Sequence, residues 1–397
     1  MTRPRILVTL TDRTEPADNG KRLRAAANLR ALARVGDLDV VLLHFDQPLD
    51  VRPVPPDVPT DHWSVVRKQR HSLPEAAFRM LRLLPLQIAA VDWMPLRAEI
   101  IKLTQRHWDL VWFGSLDHFA VLRDLIGDVP VVVDYDDVEP AKTDAFLEVA
   151  PRDPAGRGMR VKARVERVFW RRLERLAQER AAAVVVCSDL DVRRLGGRRA
   201  VAVPNTYPDP GAAVPLEAPA DPEFLLIANF GYKPNIDAAR FVTQDVLPVI
   251  RRALPNAVVH LAGHEAGRYL TDLSCIAGVK ITGTFPAVRP LLDEATAVIV
   301  PVRYGGGTRL KIIEAWAHSM PVVSTSLGAE GLGARNGGDI LLADGADEFA
   351  AACIRIACES ELRARLAAAG RQHYEADYQP VAAEQTIIDL LTTVLLG

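Results

Sequence analysis

The 397-residue sequence has little of what marks several protein classes. It holds four cysteines, Cys187, Cys275, Cys353 and Cys358, with no CxxC spacing between any of them. Cys353 and Cys358 lie five apart on an expected helix and point to different sides. That spacing argues against a zinc ribbon or a disulfide framework and reads as a reduced, cytoplasmic chain. No apolar run approaches the ~20 residues needed to cross a bilayer. The run from Ile6 to Leu10 is too short for a signal peptide, and Asp12, Arg13 and Glu15 follow it directly. The net charge is only −2, so no global basic field points to nucleic acid. What is present is ordinary soluble composition, 49% hydrophobic and 25% charged, in a length that predicts two or three domains.

Short apolar runs alternate with helical periodicity in both halves, the pattern of α/β units. Strands are expected at 5–10, 39–45, 109–113, 129–133, 183–187 and 200–203, and again at 224–228, 257–262, 278–282, 297–302, 321–324 and 339–342. Between the two sets, residues 204–222 contain six prolines and little periodicity, which predicts an interdomain linker. Ser188-Asp189 reads as a helix cap. Residues 62–90 carry Arg67, Lys68, Arg70, Arg79 and Arg82 against Glu75 alone, interleaved with Trp63, Phe78 and Leu81. Residues 152–180 carry ten Arg or Lys against four acids, with Val161, Val165, Val168, Phe169, Leu173 and Leu176 expected on one helical face. Packed amphipathic helices with a basic outer face are the preferred reading of both stretches. An anionic membrane surface or acceptor is the sharper alternative.

The most informative stretch is 297–332. The apolar run Ala297 to Val302 leads into Gly305, Gly306 and Gly307, after which Leu310, Ile313, Ala317 and Met320 fall at helical spacing. A glycine-rich turn from a strand into a helix presents free N–H groups and a positive dipole end to anions. Arg309 and Lys311 stand in the first turn, where a cation is normally disfavoured and where a bound phosphate explains it. Two solvated cations on a plain turn are the alternative, and the turn alone does not separate the two.

This stretch resembles the donor-binding signature of family-4 glycosyltransferases, in which a Glu, seven residues and a second Glu span the turn. The second Glu matches Glu314, and the continuation Ala315 through Thr325 fits closely. The first would fall at position 306, where this chain has Gly306. A bacterial sugar-transferase subgroup with Gly-x-Gly-Thr-Arg-Leu-Lys in that place is similar. The resemblance implies an α/β chain of GT-B fold, two Rossmann-like domains facing each other across a cleft. Residues 1–203 would form the acceptor-side domain, 204–222 the linker, 223–375 the donor domain, and 376–397 a helix crossing back to the first.

It also implies roles. Gly306, Gly307, Thr308, Leu310 and Glu314 would hold the donor, with Glu314 on the ribose hydroxyls. Gly20, before Arg22 and Arg24, resembles the first-domain glycine loop. Asn229 stands where many relatives have Arg, its nearest cation being Lys233, and Phe285 ends a strand beside the expected nucleobase. Arg309 and Lys311 would carry catalysis by stabilising the leaving diphosphate, and His118, just past a strand end, matches a cleft histidine. Asp134 and Asp137 follow another strand. Their Asp-x-Asp setting invites a metal, but the resemblance is to a metal-independent family, so an acceptor-side or structural role is expected. The implied protein is a retaining, metal-free glycosyltransferase that uses a nucleotide-diphosphate sugar as co-substrate and no cofactor. Its acceptor stays open among a glycan, a lipid-linked glycan, a natural product and a peptide. An epimerase of the same fold and a non-catalytic nucleotide-sugar binder are the alternatives.

Overall fold

The structure, a computed structural model, describes residues 3–15, 19–44, 52, 54–70, 84–149, 154–197, 199–211, 221–306 and 310–396. The chain divides into two compact units, Met1–Thr206 with Pro380–Gly397, and Tyr207–Gln379.

The first unit contains β1 Arg5–Leu10, β2 Asp37–His44, β3 His62–Arg67, β4 Gln69–Arg70, β5 Val91–Asp92, β6 Leu110–Phe113, β7 Val131–Asp134, β8 Ala183–Val186 and β9 Ala200–Ala202. Seven of these form one parallel sheet in the order β3-β2-β1-β6-β7-β8-β9, while β4 and β5 make a small antiparallel ribbon. Strands this apolar are buried on both faces, as parallel sheets require. Ile6, Val8 and Leu10 pack with Leu29 and Leu32 of the helix Gly20–Val35, and with Ala383, Ile387 and Leu391 of the helix Pro380–Leu396. On the other face Leu7, Phe113 and Val133 meet Phe119 and Leu122 of the helix Leu116–Ile126, and Trp170 and Leu173 of the helix Pro154–Arg180. Each leucine so buried contributes about 1.5–3 kcal/mol.

The second unit holds β10 Glu223–Ile227, β11 Val258–Ala262, β12 Val279–Thr282, β13 Ala297–Val300, β14 Val322–Ser324 and β15 Leu341–Leu342, parallel in the order β12-β11-β10-β13-β14-β15. In each sheet the strand order reverses once, between β1 and β6 and between β10 and β13. Open α/β sheets bind ligands at the carboxyl ends of the strands flanking such a reversal.

Two expectations need correction. Residues His62–Arg67 form an edge strand paired with Asp39–His44, not part of an amphipathic helix. The run His-Trp-Ser-Val-Val-Arg carries the aromatic and β-branched residues that suit a pleated edge. Within the basic stretch, 71–83 lies outside the described residues, and Leu86–Ala89 forms a short helix. In the helix Pro154–Arg180, Val161, Val165 and Val168 are 59%, 44% and 64% exposed, while Trp170, Leu173 and Ala177 are buried. The packed face therefore runs through 170, 173 and 177, and the valine stripe lies on the solvent side with the arginines. No helix among the described residues is long and apolar enough to cross a membrane.

Candidate functional site

In the second unit, the loops after β10 and β13 meet at the reversal of strand order. Gly305 has φ +116°, a left-handed conformation that glycine adopts freely, and a Cβ there would press on Tyr232 Oη at 3.1 Å and on the Pro234 ring at 3.3 Å. That places the turn leaving β13 directly on the turn leaving β10. Asn235 ties the two together. Its Nδ2 donates to the Asn229 carbonyl at 2.8 Å, and its Oδ1 accepts from Lys311 Nζ at 3.1 Å. Asn229 in turn uses its Oδ1 to accept the Gly231 N–H at 2.9 Å. Lys233 is exposed at the start of the helix Lys233–Arg240. Arg303 forms a two-pronged pair with Asp237, at 2.9 and 2.7 Å, and stacks over Phe241.

The helix Leu310–Ala317 buries Ile312, Ile313, Ala315 and Trp316 and turns Lys311 and Glu314 away from the core. Leu310 and Phe285 pack partly against that core. Burial raises the pKa of Glu314, opposed by a hydrogen bond from the Tyr207 hydroxyl and by the charge of Lys311. Tyr207 is held in place by its own backbone, whose carbonyl accepts from Tyr374 Oη at 2.9 Å. Gly307, Thr308 and Arg309 lie outside the described residues, and Gly306 ends the segment before them.

The first unit has its own cavity, about 350 Å³, at the carboxyl ends of β1, β6 and β7. Gly114 lines it, and a Cβ there would run into the Thr9 carbonyl, so the turn after β6 packs directly on β1. Lys21, on the helix that Gly20 begins, lines it together with Lys68, Asp117, Asp136, Asp137 and Glu139. Arg24 lines it too but is committed. It donates to Asp134 at 2.6–3.1 Å, to the Val203 carbonyl at 2.9 Å and to Asn205 Oδ1 at 3.0 Å, while Asn28 Nδ2 donates to Asp134 at 2.7 Å. Burial opposes the charge on Arg24, but Asp134 outweighs it and raises the guanidinium pKa. Asp12 is paired with Arg22 at 3.2 Å. Asp136 accepts from Cys187 Sγ at 3.0 Å and from Asn205 at 3.2 Å. Lys142 bridges Asp137 and Glu139 at 3.0 and 2.8 Å.

Asp117 is different. Its helix is capped by Ser115, whose Oγ accepts from the His118 N–H at 3.2 Å, so the carboxylate is set at the cavity wall in the first helical turn. Burial pushes its pKa up to about 6 despite the nearby Lys68. Its neighbour His118 is 1% exposed and does not line the cavity. His118 Nδ1 lies 2.8 Å from Thr9 Oγ1, and its ring meets Trp93 edge-on. Burial, with the charge of Lys68, holds its pKa down to about 3, so it is neutral at physiological pH.

Of the residues expected from the sequence, the structure brings Asn229, Gly306, Leu310, Lys311 and Glu314 to one end of the second sheet. Asp134 and Asp137 line the cavity of the first unit with Lys21, and Gly20 begins the helix that carries Lys21. Asn235, Tyr207 and Asp117 were missed. A serine cap followed by an acid just past a strand was the available signal for Asp117. The proline-rich surroundings of Tyr207 hid its role.

Residues 221–359, about a third of the chain, match the family model for glycosyl transferases group 1. No curated protein matches the sequence. Among solved structures, the chain resembles Anabaena HepE in a complex with UDP and glucose, at 15% identity over 98% of this chain and 100% of that one, TM-score 0.66. It also resembles the sucrose-phosphate synthase of Thermosynechococcus elongatus, at 16% identity over 99% and 100%, TM-score 0.71. TarM is similar at 9% identity over 100% and 99%, TM-score 0.69. The fold is therefore the GT-B type with two Rossmann-like halves, and the match to glycosyl transferases group 1 lies within the second half.

Proposed function

We propose that this chain moves a sugar from a nucleotide-diphosphate sugar to an acceptor hydroxyl, with retention at the anomeric carbon and without a metal ion. The observation that carries the reading is the pair Lys311 and Glu314 on one short helix, at the reversal of strand order, with Lys311 tied through Asn235 to the β10 loop. Lys311 and the helix N-terminus supply positive charge for a diphosphate. Glu314, one turn further in, is placed to accept from ribose hydroxyls, with Tyr207 orienting its carboxylate. In the reaction the bond from the anomeric carbon to the β-phosphate oxygen breaks and its electron pair leaves with the diphosphate. The acceptor oxygen bonds to that carbon on the same face and passes its proton to the departing phosphate oxygen. Lys311, Arg309 and the helix N–H groups would offset the charge developing on the leaving oxygen, and one such donor is worth about 10²–10³ in rate.

The UDP held by HepE makes uridine diphosphate the first nucleotide to try. A thermal-shift screen of nucleoside diphosphates and their sugars tests the donor reading without knowledge of the acceptor. Binding at a hundredfold excess over Kd stabilises by about 2.7 kcal/mol, and no shift with any nucleotide sugar would sink the proposal. Proton NMR of donor alone separates an epimerase, which converts it, from a transferase, which leaves the sugar's configuration intact. Loss of turnover in chelator, restored by divalent ion, would overturn the metal-free part.

A further inference from the structure

We propose that Tyr232 is a further ligand of the donor diphosphate, its phenolic O–H donating to a phosphate oxygen at the turn leaving β13; the assignment rests on the transferase reading above. Tyr232 stands between the β10 loop and the helix Lys233–Arg240. Its N–H donates to the Asn229 carbonyl at 3.3 Å. Its own carbonyl accepts from the Asn235 N–H at 2.9 Å and from the Ile236 N–H at 3.4 Å. Pro234, buried and with its φ fixed by the ring, follows two residues on. The backbone is therefore held, and the side chain leaves it from a set position.

From there the ring reaches the other loop. A Cβ on Gly305 would lie 3.1 Å from Tyr232 Oη, so the hydroxyl stands at the first glycine of the turn leaving β13. Lys311 reaches back to the same β10 loop, its Nζ donating to Asn235 Oδ1 at 3.1 Å. Arg303, two residues before Gly305, is committed to both oxygens of Asp237. Tyr232 is not committed: it is 41% exposed, and among the described residues its hydroxyl makes no hydrogen bond. A phenylalanine would cover Gly305 equally well, so packing alone gives this oxygen no role. Phosphate oxygens are strong acceptors, and bonds to them are about twice as strong as neutral ones. The O–H keeps its proton throughout and acts as a neutral donor to the charge on the diphosphate.

The test is calorimetric titration of the full chain with UDP, ADP, GDP and dTDP, then with the nucleoside of whichever diphosphate wild type binds. Wild type is compared with Tyr232→Phe and Tyr232→Leu. The Phe variant keeps the ring against Gly305 and should melt at the wild-type temperature without ligand. It should lose roughly ten- to hundredfold in affinity for the diphosphate, as for a lost hydrogen bond to a charged group, and nothing for the nucleoside. Tyr232→Leu should lose the diphosphate by a similar factor. Wild-type diphosphate affinity in the Phe variant overturns the inference, and a loss in the Leu variant alone moves the contact to the ring and overturns it too. Equal losses for nucleoside and diphosphate overturn it as well, because the hydroxyl would then act on the whole site. Each of these results leaves the donor reading standing, since wild type still binds. A wild type that binds none of the four diphosphates and none of their sugars sinks the donor reading, and this inference falls with it.

Discussion

Replacing Asp117 by asparagine should stabilise the chain at neutral pH and much less at acid pH. The carboxyl has a pKa of about 6 in the folded chain against an ordinary value of 3.8. Burial is the main cause, and the charged groups facing it are Lys68, Glu139, Lys21 and Lys142. The folded state therefore holds this proton more tightly than the unfolded state does. Between pH 3.8 and about 6 the unfolded chain releases it first, so stability falls as pH rises, and the loss is complete above about pH 6. A shift of about two units corresponds to roughly 3 kcal/mol. About 1 kcal/mol of that is already lost at pH 4.5, so the advantage of Asp117→Asn over wild type should grow by about 2 kcal/mol between pH 4.5 and 7.5. Urea unfolding of both proteins at the two pH values measures it, and taking the difference between variants cancels every other titrating group. A gap that stays constant within about 0.5 kcal/mol would refute the reasoning and make Asp117 an ordinary solvated acid.

Three more predictions rest on other contacts. Glu314→Gln should weaken binding of a nucleoside as well as of its diphosphate, by about 1.5–3 kcal/mol, while Lys311→Ala and Arg309→Ala should lose the diphosphate and turnover but keep nucleoside binding; calorimetric titration with nucleoside and diphosphate separates them, and wild-type behaviour of the Gln variant would sink the ribose role. Arg24→Met leaves Asp134 buried beside Asn28 alone and should cost about 3–5 kcal/mol in urea unfolding; a cost under about 1 kcal/mol would show the pair is dispensable. Val165→Ser should change stability by no more than about 0.5 kcal/mol, whereas Leu173→Ala should cost about 2–5 kcal/mol; the reverse ranking would mean the helix Pro154–Arg180 is packed on its other face.

The sequence by itself determined most of the elements and their order, though not the edge strand His62–Arg67 or the small ribbon after it. Apolar runs such as Arg5–Leu10 and Ala297–Val300 are local signals, because a strand buried on both faces must be apolar at nearly every position. The helix Leu310–Ala317 and the cap at Ser188 were equally legible, since 3.6-residue periodicity and a side-chain oxygen before a first turn are written in adjacent residues. Position within the family motif also singled out Glu314 and Lys311. Only the tertiary structure decided which polar groups meet. Arg24 and Asp134 are 110 residues apart, and nothing near either predicts that they bury one another's charge. Tyr207 reaches Glu314 from a proline-rich stretch with no periodicity to read. Val161, Val165 and Val168 obey the same helical spacing as a packed face, and only the neighbouring layer keeps the expected Leu173 and adds Trp170 and Ala177 in place of the valines. Periodicity states that a face exists, whereas the neighbouring layer fixes which face is buried. Asp117 stands out for the same reason, because its place at the cavity wall and the charges that face it come from elements far apart in the chain.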